Sequence, residues 1–266
     1  VENKITNGTG TTTFSPDENC TRAQIVTFLW RSKGEPYASD SNNPFTDITS
    51  ENVAAAVKYR ADMIISHHPL IFNPIKRVVE NDVTGSIIRS LIKNNISAYS
   101  AHTNLDCADG GTNDVLAEKL GLQFVRRFTD DEACDNFGNP LDNIGRVGKL
   151  EEPTELIDFV HFIKDTLGCK SIRYVGEPNE TIHTAALCTG AGGDGIYSAY
   201  HAGADVYVTS DIRHHEAQLA YELGINLIDA GHFETENTIC EFMSDYISAE
   251  LHGLNIISSE AQPYFR

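Results

Sequence analysis

From Thr46 onward, short continuous apolar runs alternate with apolar residues at helical spacing. Asn52–Tyr59 and Val83–Lys93 carry the helical period, and Met63-Ile64-Ile65 and Ile96–Ser100 read as strands. Asn113–Leu120 is a helix stopped by Gly121, and Glu155–Leu167 is one stopped by Gly168. Strands follow near Ile172–Val175 and Thr184–Leu187, then a short helix over Tyr197–His201. Asp205–Thr209 and Ile225–Ile228 are further strands, separated by a helix over His215–Leu223. A longer helix, Glu236–Leu251, closes the series. This β/α alternation predicts a layered α/β domain over residues 46–266, with a largely parallel or mixed sheet and flanking helices.

Residues 1–45 have a different character. The polar, turn-rich TNGTGTTT precedes a short helix signal, in which Thr21-Arg22-Ala23-Gln24 has the capping-box pattern. Ile25, Phe28 and Leu29 recur at helical spacing before Gly34 and Pro36 end the helix. ASDSNNP, residues 38–44, reads as a linker. One helix with so little apolar surface is too small to fold alone. TFSPDENCTRAQIVTFLWR followed by NPFTDI resembles an S-layer homology repeat, a module that anchors bacterial surface proteins to cell-wall polysaccharide. The resemblance implies a wall-polysaccharide contact at Arg22, and with it a cell-surface location.

At 266 residues the chain is long enough for a full core. With 38 acidic against 20 basic side chains, a formal charge of −18, its surface repels phosphate backbones and anionic lipid. Nucleic-acid and membrane binding are therefore not expected. No apolar run approaches the ~20 residues that span a bilayer. The opening VENKITNGTG has no basic start leading into an apolar stretch, and it begins without Met. The six cysteines are scattered without a Cys-x-x-Cys pair, so reduced thiols of a cytoplasmic protein are expected instead of a disulfide framework or zinc finger.

Three strand ends carry residues suited to metals, at the carboxyl edge where ligands gather in such folds. MIISHHP gives His67 and His68, with Pro69 taking the chain out of regular pairing so that the two rings can reach separate ions. AYSAHTNLD gives His102 and Asp106. LIDAGHFETE gives His232 and Glu236, four residues apart and on one face if a helix begins near His232. Imidazole with carboxylate suits zinc, manganese, iron or nickel. Three histidines and two carboxylates suit two divalent ions if one carboxylate bridges, and Glu236 is the best bridge. His102 is read as orienting a ligand or as structural.

ADMIISHHPLIF, AHTNLD with GGTNDVLAEKLGL, TSDIRHHEAQLAYELGI and DAGHFETE together resemble the dinuclear-metal-centre family of GTP cyclohydrolase 1 type 2 homologs. The resemblance covers about residues 47–266. It implies that His67 and His232 hold one ion, that His68 and Asp106 hold the other, and that Glu236 bridges them. It further implies a hexameric ring of identical subunits and a metal-dependent hydrolase acting on a nucleotide or phosphoester. The family's N-terminal stretch, with its first strand, is replaced here by the wall-binding-like segment, with the junction near Phe45–Asp47. A metal-binding scaffold without turnover is the reading from another class.

Other candidates stay open at this point. Asp211, His214 and His215 follow VYVTS; they read either as partners of a metal ligand or as a capped helix start with solvated histidines. GAGGDG, residues 190–195, reads as a tight turn or a phosphate cradle. Ser66, Ser100 and Ser210 lack a nucleophile-elbow setting. His161, His183 and His252 are background, and Glu234 is placed away from the site.

Overall fold

The computed structural model describes residues 42–45, 48–72, 74–128 and 144–259. The helix expected after Thr21, the Arg22 contact, Cys20 and Cys134 lie outside the described residues. In chain order the strands are β1 (Asn42–Phe45), β2 (Met63–Ser66), β3 (Ser97–Ser100), β4 (Gln123–Arg127), β5 (Arg146–Glu155), β6 (Arg173–Val175), β7 (Thr181–Leu187), β8 (Val206–Thr209), β9 (Asn226–Asp229) and β10 (Asn255–Ser258). They form two sheets, one in each of two compact units. The first unit ends at Ala108 and resumes at Cys240; the second is Asp109–Ile239.

The first unit's sheet has the order β10-β1-β2-β3 and is parallel throughout. All four residues of β2 are buried, as expected of a parallel strand covered on both faces. Two helices pack on this sheet. Ser50–Lys58 starts where the Thr49 side chain accepts from the Asn52 N–H, and Val83–Lys93 starts where Asp82 accepts from the Gly85 N–H. Their apolar stripes, Val53 and Ala56 on one and Ile87 and Leu91 on the other, meet Ile48, Ala61, Ile64 and Ile96 in one core. One expectation changes here. Residues 42–44 of the expected linker belong to β1, which lies between β10 and β2. Asn-Asn-Pro has no alternating apolar signature, so its strand conformation comes from the two parallel neighbours.

The second unit's sheet has the order β4-β5-β7-β8-β9-β6. Its centre, β7-β8-β9, is parallel, and β4, β5 and β6 join it antiparallel, making the sheet mixed. Side chains alternate between its faces. Ala185, Leu187, Val206, Val208 and Ile228 join one core with the helices Thr112–Lys119 and Leu156–Leu167. Ala186, Tyr207 and Leu227 join the other with Ile196–His201 and His214–Leu223. Gly168 ends Leu156–Leu167 in a left-handed conformation, φ 70°, as its place after the last periodic residue predicts.

Besides β1, three strands were not expected from the pattern: β4, β5 and β10. QFVRR is almost wholly exposed, and its pairing with β5 is interrupted between Gln123 and Arg126. β5 is buried only over its first three residues. Neither strand shows the two-residue period of a half-buried strand.

Candidate metal centre

In the first unit, β2 and β3 run parallel with Ser66 opposite Ser100. The Ala101 N–H donates to Ser66 O at 2.9 Å, and the two serine hydroxyls bond at 2.9 Å. Ser66 Oγ also donates to His68 O at 2.8 Å, so these serines pin strand ends. Beyond that tie, His67 and His68 emerge from one strand and His102 from the other. His67 Nδ1 donates to Ala101 O at 2.8 Å, since a carbonyl can only accept. That bond turns Nε2 toward Asp106 Oδ1, 3.5 Å away, and both side chains are nearly buried. An imidazole nitrogen and a carboxylate oxygen so placed are a donor pair suited to a divalent ion. Asp106 ends the short helix Thr103–Asp106, which carries its carboxylate back under the histidines.

The three imidazoles form a compact triangle. Ring centroids are 5.0 Å apart for His67–His68, 5.1 Å for His67–His102 and 5.2 Å for His68–His102. One ring nitrogen from each lies within 4.8 Å of the others.

In the second unit, the carboxyl ends of β7, β8 and β9 lie side by side and lead into Thr189-Gly190, Ser210-Asp211 and Ala230-Gly231-His232. The helix His232–Glu236 begins at His232, so the expected one-face relation holds: His232 Nε2 is 3.1 Å from Glu236 Oε1. His232 Nδ1 donates to Asp211 Oδ2 at 2.7 Å. Asp211 sits at φ 56°, a left-handed conformation that Asp tolerates better than most residues, and this turn directs its carboxylate to the ring. The hydrogen bond that His232 donates to Glu236, opposed by desolvation and aided by the Glu236 and Asp211 charges, pushes His232 up to about 9. A metal-free His232 therefore holds its second proton at neutral pH, on the nitrogen that faces Glu236.

Gly190 completes this group. At φ +66°, with a Cβ that would clash with Glu236 Oε1, it is a position only glycine fills without strain. Its N–H donates to Thr235 Oγ1 at 3.1 Å, and its carbonyl accepts from Ser210 Oγ at 2.6 Å and Thr209 Oγ1 at 3.1 Å. Gly192 N–H donates to Thr209 Oγ1 at 3.0 Å, and Gly195 N–H to Gly192 O at 2.9 Å. The 190–195 segment thus spends these donors on its own fold and acts as a tight turn that backs Glu236.

Behind the turn, Thr189 N–H donates to Asn113 Oδ1 at 2.8 Å, and Asp114 pairs with the buried Arg146 guanidinium. His214 and His215 are exposed at the start of His214–Leu223, and Arg213 pairs with Glu216 there. Each of the two readings for this stretch therefore has its own residue: Asp211 partners His232, whereas His214 and His215 open a helix. Sequence reasoning read Gly190 as part of a tight turn or phosphate cradle but foresaw neither its approach to Glu236 nor the part of Thr235.

The donor chemistry in both units suits borderline divalent ions: imidazole nitrogens with a carboxylate in each, and ring partners (Ala101 O, Asp211) of the kind that orient ligating histidines. Burial, with Glu234 nearby, pushes the Cys169 thiol up to about 11. No helix among the described residues is long and apolar enough to cross a membrane.

Fold and donor groups define an α/β protein with candidate histidine–carboxylate metal-binding groups at strand ends. The family description Duf34/NIF3 (NGG1p interacting factor 3) matches residues 45–263, and the chain belongs to this family. The S-layer homology domain matches residues 1–26. A curated relative, the GTP cyclohydrolase 1 type 2 homolog of Clostridium perfringens, is 36% identical over 224 residues, 82% of each chain. A solved Bacillus cereus protein related to NIF3 is 27% identical with TM-score 0.74, covering 85% of this chain and 88% of that one. A solved Staphylococcus aureus protein is 25% identical with TM-score 0.75, covering 94% and 99%.

Proposed function

We propose that this chain is a metal-dependent hydrolase that binds two divalent ions through His67, His68, Asp106, His232 and Glu236, with Glu236 as the bridging carboxylate. The observation that carries the reading is the pairing of an oriented histidine with a carboxylate in each unit: His67 with Asp106, and His232 with Glu236. Two divalent ions held by these residues would activate water and stabilise charge on a carbonyl or phosphoryl oxygen.

The chain's own residues supply the frame. Ala101 O fixes which His67 nitrogen is available, Asp211 holds the His232 ring, and the Gly190 turn sets the Glu236 carboxylate. The proton that His232 carries must leave before Nε2 can donate to a metal. The name shared by the curated relatives points to a nucleotide as substrate, with a phosphoester as the other hydrolysable class. Assembly into a hexameric ring is carried over from the family resemblance and is read out by sedimentation.

Metal analysis of the purified chain tests the proposal. About two equivalents per chain are expected, falling in His68→Ala and in Glu236→Ala. Turnover of a nucleotide and phosphodiester panel should disappear in His68→Ala. A chain that takes up no divalent ion sinks the reading, whereas two bound ions without turnover leave a metal-binding scaffold.

The match over residues 1–26 favours a second property, attachment to cell-wall polysaccharide. Co-sedimentation with purified wall material, lost in Arg22→Ala, is the expected result; no co-sedimentation of the unaltered chain rejects it.

A further inference from the structure

We infer that Phe72 is a platform on which the flat base of a nucleotide substrate stacks, with Lys76 and Arg77 of the same loop drawing in its phosphate. The inference rests on the hydrolase reading above and narrows its substrate to the class that carries a base. It uses residues outside the proposed ion ligands.

The stretch between β2 and the helix Val83–Lys93 is held at both ends. Leu70 packs against the first unit's core, and the Val79 backbone lies so close to Gly85 that a Cβ there would meet Val79 O at 2.3 Å. Between those anchors the chain turns apolar side chains outward. Phe72 is 70% exposed, and Ile71, Ile75 and Val78 are exposed with it. A phenyl ring so placed forgoes the burial that stabilises a core, so packing gives no reason for it.

The surroundings of the ring point to a ligand. Phe72 meets the His102 ring edge to face, at 85° with centroids 6.2 Å apart, and His102 lies 5.2 Å from the proposed ion ligand His68. Phe72 is thus one imidazole removed from His68. A heteroaromatic base laid on its open side gains the stacking by which proteins hold single-stranded bases, and it brings the nucleotide beside the proposed ions.

Charge on the same loop agrees. The chain carries 38 acidic against 20 basic side chains, yet Lys76 and Arg77 stand adjacent and exposed here. Of the acids that follow them, Glu80 pairs with Arg89 at 3.5 Å and Asp82 accepts from the Gly85 N–H. Among the described residues neither Lys76 nor Arg77 makes an ion pair. Two such cations on one loop with an open aromatic ring fit an anion that has a flat apolar body. A nucleotide has both parts, whereas a simple phosphoester offers nothing to the ring.

The experiment is calorimetry of the full chain with two probes: guanosine 5′-monophosphate, and ribose 5-phosphate, which lacks the base. Phe72→Ala should weaken guanosine 5′-monophosphate about tenfold or more and leave ribose 5-phosphate within about twofold, whereas Phe72→Tyr should keep both affinities. Lys76→Gln/Arg77→Gln should weaken both probes, by less as salt is raised. Divalent-ion content should be the same in all three variants. Nucleotide affinity within about twofold in Phe72→Ala overturns the inference, and so does a Lys76→Gln/Arg77→Gln chain that binds both probes unchanged. Equal weakening of both probes by Phe72→Ala, or loss of bound ions with it, also overturns the inference by marking a structural role. A Phe72→Ala chain that binds the nucleotide unchanged but sediments as a smaller assembly rejects it too, and assigns the loop to contacts between copies. A chain that holds two ions but binds no nucleotide removes the inference and leaves the two-ion proposal standing. Nucleotide binding that depends on Phe72 in a chain without ions does the reverse.

Discussion

The two histidine–carboxylate groups solve the same problem with opposite means. In the first unit the rings are numerous and the acid is single: three imidazoles cluster together, and the one beside Asp106, His67, is oriented by a neutral backbone carbonyl, Ala101 O. In the second unit one imidazole stands between two acids, Asp211 and Glu236, and ionises to match them. The second group therefore already holds a cation, its own proton. Metal binding there must displace that proton, so proton release and pH dependence should concentrate in the second group.

The heaviest blow to this contrast comes from the support behind the second group. Asp114→Ala strands the Arg146 guanidinium, which is 2% exposed, and losing one partner of such a pair costs about 3 kcal/mol. Urea unfolding should record that loss; under 1 kcal/mol would mean that the pair does not brace the turn bearing Thr189 and Gly190.

Gly190→Ala comes next. A non-glycine residue at φ +66° costs on the order of 1–2 kcal/mol, and the added Cβ displaces Glu236. The expected outcome is a loss of affinity for both bound ions, because the proposed bridging carboxylate is displaced. Unchanged uptake would show that the Gly190 turn does not set Glu236.

The pH dependence sharpens the comparison further. His232 is raised from 6.5 to about 9, so its charged form stabilises the metal-free fold fully below pH 6.5, and that contribution fades as pH rises through about 9. Metal uptake runs the opposite way, because the same proton must leave. Affinity at the second group should climb about tenfold per pH unit from pH 7 toward 9, and His232→Ala should abolish that slope. A slope that survives the substitution would place the proton elsewhere.

The smallest effect is expected from Asp211→Asn. The amide preserves the side chain's size and removes its charge, so the NMR-monitored His232 titration should fall from about 9 toward the ordinary histidine value while Glu236 still holds it above. An unmoved titration would reduce Asp211 to a bystander.

The chain's own pattern established a good deal. The α/β alternation, the glycine after Leu167, the strand ends bearing His67-His68 and Asp106, and the i, i+4 pair His232 and Glu236 are all written within short windows, where helix period and strand termination act. What lies beyond such windows was settled by pairing. Strand β1 is built from Asn-Asn-Pro and takes its conformation from two parallel neighbours, β4 is nearly all exposed, and β5 is buried only at its start; none has a periodic apolar face to announce it. The placing of His102 and the roles of Asp211 and Gly190 depend in the same way on which strand ends lie side by side: β2 with β3, β8 with β9, β7 with β8. A ligand type is a property of one residue and can be read along the chain. The orientation of His67, the second proton of His232 and the absent side chain at Gly190 are set by atoms brought from far along it, and only the folded sheet order supplies those neighbours.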